Sequence, residues 1–122
     1  MNRLFLSATL LLLGSSVQAA TYYVAKTGSN TNTCAQAANQ ASPKLTISAG
    51  VGCLSAGDTL IVKSGAYSES IGIVPSGISE AQPTRVMAEP LLSVTMNVSG
   101  EDGFRFSGSS ARYVLIKGFI LE

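Results

Sequence analysis

Histidine and tryptophan are absent from these 122 residues, and only 12% of positions carry charge. The missing histidine removes the commonest general base and the commonest zinc ligand together. Two cysteines are the whole thiol complement, too few to hold a tetrahedral zinc without other ligands. Eight Lys and Arg against seven Asp and Glu leave a formal charge of +1. No clustered stripe of Lys and Arg is left for nucleic acid or an anionic lipid surface, which both depend on one.

Long apolar runs are also scarce. The one that stands out, Leu4 to Leu13, follows Arg3 and is followed by small residues and Val17-Gln18-Ala19. It falls short of the roughly 20 apolar residues that span a bilayer. A basic start, a short apolar stretch and a small-x-small site make residues 1–19 a secretory signal peptide, cut after Ala19. No Cys sits at that cut, so no lipid anchor is expected there. Residues 20–122 then form one small domain with seven cations and seven anions, secreted or periplasmic and not inserted in the membrane. In an exported chain a pair of cysteines ordinarily forms a bridge, so Cys34 and Cys53 are expected to be disulfide-bonded. On the chain-entropy model that bridge contributes about 3 kcal/mol.

What the chain does have is closely punctuated β-structure. Thr21 to Ala25 is aromatic and branched, then broken by the turn-rich Lys26 to Thr33. From Pro43, Ile47, Val51 and Leu54 fall at the spacing of one helical face. Gly50 and Gly52 weaken that helix by about 1 kcal/mol each relative to Ala, so a short helix is expected that depends on packing. Its Cys53 would tie it to the loop carrying Cys34.

Beyond Gly57-Asp58, five runs alternate with period two, each bounded by Gly, Pro, Ser or Asp. They centre on Leu60 and Val62; Val86 and Ala88; Val94, Met96 and Val98; Phe104 and Phe106; and Val114 and Ile116. Hairpins in a sandwich and parallel coils in a solenoid both fit strands this short. Asp102-Gly103 is one candidate hairpin turn. The steps from Leu60 to Val86 and from Val86 to Val114 are nearly equal. Both suit the length of one solenoid coil and favour that architecture. Gly65 and Gly77 would supply positive φ at its corners. A solenoid ending at Phe119–Glu122 would present an open edge, so the chain is expected to be a truncated start of a longer protein, and to aggregate or stay partly disordered if made alone.

Tyr22-Tyr23-Val24 with Gly28-Ser29, Ser42-Pro43 with Thr46-Ile47, Gly57-Asp58-Thr59 with Gly65-x-Tyr67, and Gly103-Phe104-x-Phe106-x-Gly108 leading to Tyr113-Val114-x-Ile116-x-Gly118-Phe119 together resemble the N-terminal part of bacterial secreted right-handed parallel β-helix proteins, the pectate-lyase-like superfamily. The resemblance covers nearly all of residues 20–122. It implies an all-β, right-handed parallel β-helix: an N-terminal cap with a short helix, then the first coils, with Gly57-Asp58 and Ser64-Gly65 as corners. Asn30 stands where many members have an acidic residue, a difference expected to bear on the turn. The activity implied is that of a polysaccharide lyase, a carbon-oxygen lyase acting on extracellular, possibly acidic, polysaccharide with its active site beyond this chain. The alternatives are a non-catalytic glycan-binding or adhesin-type β-helix, or an inactive fragment. No cofactor is implied in this stretch, although the full-length protein could use calcium, and a full-length monomer is expected.

The residues themselves offer little chemistry. Calcium needs several converging oxygens, and the adjacent pair Glu101-Asp102 would point to opposite faces of a strand; a solvated turn is the simpler reading. Arg85, Arg105 and Lys117 are out of step with their apolar neighbours and are expected on the outer face, where cations could line a groove for an acidic glycan but more often are merely solvated. Tyr22 and Tyr23 could stack on sugars; for Tyr67 and Tyr113 packing in core or rim is expected. Asn97-Val98-Ser99 fits a glycosylation acceptor but lies in a strand. Ser107, Ser109 and Ser110 have no His to activate them. No catalytic or metal-binding residue is therefore assigned within the chain.

Overall fold

Four strands stack side by side and all run the same way. In the computed structural model, which describes residues 18–98, 103–106 and 111–122, β1 (Thr21–Val24), β2 (Thr59–Tyr67), β4 (Thr84–Met96) and β6 (Val114–Lys117) pair in that order. β7 (Phe119–Leu121) continues along β4 beyond β6. A second sheet joins β3 (Ile73–Val74) to β5 (Arg105–Phe106). Every strand pairing is parallel, which excludes the sandwich of hairpins for the described residues. The chain is all-β, with two short helices. Residues 1–17 of the expected leader lie outside the described residues.

Register makes the core. Tyr22, Leu60, Val86 and Ile116 are successive partners, as are Val24, Val62 and Ala88. Leu60, Val62, Val86 and Val24 are fully buried, so the alternation seen in sequence places one apolar row above another. Leu60 and Val86 are register partners, as their spacing suggests, but Val86 pairs with Ile116, not Val114, which lies opposite Thr84. Val94, Met96 and Tyr67 extend the same interior.

The helices cap one end. α1 (Cys34–Ala37) was not expected; Thr33 accepts a hydrogen bond from the Gln36 amide, and the Gln36 side chain accepts from the Thr33 amide. Such a reciprocal cap satisfies two otherwise orphaned donors. Cys34 thus begins a helical turn, not a loop, and its sulfur is bonded to Cys53. α2 (Ile47–Val51) is the short helix that the Ile47, Val51 and Leu54 spacing predicts, but it stops at Val51, and Leu54 packs against the core from beyond its end. Thr46 caps it, and both oxygens of Glu69 accept from the Ile47 and Ser48 amides at 2.9 and 2.7 Å. Gly50 faces Val24 and Leu60 so closely that a Cβ would meet Val24 Cγ2 at 2.5 Å.

The corner before β2 is built on Gly57, at φ 85°. Its amide donates to the Thr84 hydroxyl at 2.9 Å. Asp58, only 6% exposed, accepts from the Ala20 and Ser55 amides, each at 2.9 Å. Buried polar groups are tolerated when so partnered.

Three local expectations need correction. Ser64-Gly65 is no corner: both lie inside β2, at a shift of register. Gly77 is not among the positive-φ glycines; its need is for space, because a Cβ would lie 2.5 Å from the Tyr113 carbonyl oxygen. The Val86 and Val94 runs are one strand, β4, held together because β2 runs beside both.

Candidate functional site

The outward face of the larger sheet carries the residues that alternate with the core. Thr59, Arg85 and Leu115 form one row, and Tyr23, Ile61, Met87 and Lys117 the next. Lys63 stands opposite Glu89 in a third. Arg85 and Lys117 therefore share a face, as their phase predicts. Arg105 belongs to the other sheet, so the three cations do not converge.

Beside the Lys63–Glu89 row the ladder breaks. Lys63 pairs with Glu89 and Gly65 with Val94, so the single residue Ser64 is matched by Pro90 to Ser93. The surplus residues loop outward, with Leu92 at φ 62° and the Ser93 hydroxyl donating to the Pro90 carbonyl at 2.6 Å. On the other side Gly118, at φ 86°, accepts from the Leu92 amide at 2.7 Å. A Cβ on Gly118 would strike Leu91 at 2.7 Å. The excursion leaves Leu91 and Leu92 exposed.

At its foot opens a cleft of about 600 Å³, bordered by Lys26, Gln40, Lys63, Ser64, Glu89 and Pro90. Lys63 and Glu89 form an ion pair there. The Lys63 ammonium also sits 5.9 Å from the Tyr23 ring centroid, and that of Lys26 lies 4.4 Å above Tyr67. Lys26 can lie this low because residue 65 is glycine: at φ 150°, a Cβ would meet Lys26 Cγ at 2.6 Å. Tyr67 itself is buried and donates its hydroxyl to the Lys63 carbonyl at 3.1 Å. Burial, with a smaller contribution from the Glu69 charge, pushes its phenol up to about 12.

The cleft thus offers two ammonium groups, one carboxylate, an amide and a hydroxyl, drawn from the cap, β2 and β4. Sequence reasoning assigned none of these residues to a site; Ser64 was expected only as a corner. The signal was present, however: Lys63 and Glu89 are separated by the same interval of chain as Leu60 and Val86.

Other anticipated residues are scattered. Tyr22 packs against the core, whereas Tyr23 is on the outer face. Tyr113, expected to pack, is 40% exposed at φ 55°; its carbonyl accepts from Thr84, which fixes the backbone and turns the ring outward. Phe104 packs edge-on against Phe119, 5.3 Å between centroids, but Phe106 is exposed. Asn30 reaches from its own turn to the segment entering α2: its side-chain oxygen accepts from the Leu45 and Thr46 amides at 2.9 and 3.1 Å. Glu101-Asp102, Ser99 of the glycosylation triplet, and Ser107, Ser109 and Ser110 lie outside the described residues. Among the described residues no three His, Cys, Asp or Glu side chains are grouped to hold a metal ion. None of the described helices is long and apolar enough to cross a membrane.

No protein-family model matches the chain, and no curated protein does. Among solved structures, the chain is similar to XylC in its complex with xylose, with a TM-score of 0.56 and 31% identity over 64% of this chain. XylC is a β-helix protein. The match takes in 12% of the XylC chain, so this chain spans only a small part of that protein's length.

Proposed function

We propose that the chain forms the N-terminal cap and first coils of a right-handed parallel β-helix protein, exported to act on extracellular polysaccharide. The observation that carries this reading is the likeness to XylC, which was solved with xylose bound. The strand ladder supports it: β1, β2, β4 and β6 each add one parallel rung, and parallel crossovers within a sheet are right-handed in about 98% of cases. The Cys34–Cys53 bridge suits an oxidising compartment. The reaction we favour is lyase-type cleavage, performed by groups other than those described. The mixed-charge cleft favours a second reading, in which the protein holds a glycan without cutting it.

The test is to incubate the complete gene product with xylan, homogalacturonan and alginate. Ultraviolet absorbance from unsaturated uronate ends is expected for a lyase. New reducing ends without that absorbance would replace elimination by hydrolysis. Retention on one polymer with no new ends would establish the glycan-binding reading, and neither binding nor cleavage of any polymer would overturn both.

A further inference from the structure

Building on that carbohydrate reading, we propose that the cleft at the β2–β4 register shift is a subsite for one neutral sugar unit, whose neighbouring hydroxyls bridge the Lys63 ammonium and the Glu89 carboxylate. About 600 Å³ lies within the range of roughly 300–1,000 Å³ usual for small-ligand clefts. The ion pair places a donor-only group beside an acceptor-only group. A sugar hydroxyl both donates and accepts, so two adjacent hydroxyls satisfy both partners at once.

Charge selects the class. Of the two ammonium groups, Lys63 is already paired with Glu89 and Lys26 rests on the Tyr67 ring. An anionic ligand would therefore have to compete with Glu89 for Lys63, and a divalent cation would find one carboxylate where several oxygens are needed. A neutral polyol meets neither obstacle. Gln40 and Ser64 add an amide and a hydroxyl on the border, and the Pro90 ring offers an apolar wall for C–H groups.

The site is also held ready. Lys26 rests on the Tyr67 ring in the space left by Gly65, and Lys63 is fixed between Glu89 and Tyr23. Side chains already ordered before binding lose less entropy when a ligand arrives. The wall exists because β4 spends Pro90 to Ser93 where β2 spends only Ser64. The excursion thus gives the sheet a depression that a regular ladder lacks.

Xylose, xylotriose and galacturonate are titrated into the purified protein, followed by amide chemical shifts and by calorimetry. Xylotriose is expected to shift Gln40, Ser64 and Glu89. Glu89→Gln and Lys63→Met, which keep size and stem, should each weaken it by about tenfold, the usual scale for a hydrogen bond to a charged group. Lys117→Gln, on the same face but away from the cleft, should leave affinity unchanged and serves as the control. Xylotriose binding that is indifferent to both cleft variants would overturn the subsite while leaving the carbohydrate reading intact. Galacturonate binding tighter than xylotriose, and strengthened by Glu89→Gln, would overturn the neutral-sugar assignment. If none of the three sugars binds, the subsite fails, and the polymer assays then decide the broader reading independently.

Discussion

Replacing Gly50 by Ala sets two well-understood effects against each other, and the structure decides between them. Helix propensity alone favours Ala over Gly by about 1 kcal/mol, so an unpacked α2 would gain. Here the new Cβ would stand 2.5 Å from Val24 Cγ2 and 2.8 and 3.0 Å from the Leu60 methyls, where carbon atoms prefer about 3.5–4.0 Å. Val24 and Leu60 are both 0% exposed, and Val24 is stiff at χ1, so neither can step aside. Relief requires α2 to retreat from β1 and β2 by about 1 Å. Overpacking of this kind costs about 1–3 kcal/mol, and contacts under 3.0 Å belong in the upper part of that range. The expected net loss is about 1–2 kcal/mol, read as a lower unfolding midpoint. Urea and thermal unfolding of the parent, Gly50→Ala and Gly52→Ala provide the assay. Gly52 has αR geometry, and its added Cβ would meet nothing nearer than 3.4 Å, so that variant should be neutral or stabilised by about 0.4–1 kcal/mol. Gly50→Ala equal to or more stable than Gly52→Ala would refute the packing argument.

Two further outcomes are expected. Cys34→Ser opens a bridge between residues 19 apart and should cost about 3 kcal/mol, with hydrogen-exchange protection lost between residues 34 and 53 before the β2–β4 ladder; unchanged melting would remove the structural role. Tyr67 holds its proton in the folded state up to about 12 but releases it near 10 when unfolded. The folded chain therefore binds more protons between those values, and stability present below pH 10 falls as pH rises toward 12. Phenolate absorbance should show a late ionisation step near pH 12, and Tyr67→Phe should abolish it. Absence of any late step that Tyr67→Phe removes would contradict the burial of Tyr67.

The inward rows were legible because strand alternation needs only local information: Leu60 and Val62, or Val86 and Ala88, announce one buried face. α2 was legible for the same reason. The excursion at Pro90 to Ser93 was not, because a proline followed by two leucines and a serine reads as a break between strands; only β2, running alongside, makes it a bulge. Those extra residues also blur the repeat, so the step after Val86 runs past Val114 to Ile116. Glu69 capping α2 reaches across the whole of β2 in sequence and leaves no local trace. The cleft was hidden for a related reason: its residues are individually ordinary and meet only once the register is known.

The polar groups of this structure divide by what they are bound to. Asp58, Thr84 and Glu69 face backbone amides, all but that of Ser55 from distant segments. Each is spent on holding a corner or a helix end, and removing one would leave orphaned donors in the interior. Lys63 and Glu89 face each other, with side chains 32% and 56% exposed. An exposed pair of this kind contributes about 0–1 kcal/mol, too little to matter for a fold already secured by the apolar rows beneath it. A ligand that exchanges the pair's mutual contact for hydrogen bonds of its own therefore takes almost nothing from stability. The same exchange at Asp58 would unpick the corner before β2. By this criterion, among the described residues, the Lys63–Glu89 cleft is a place where the proposed sugar contact would not loosen the core.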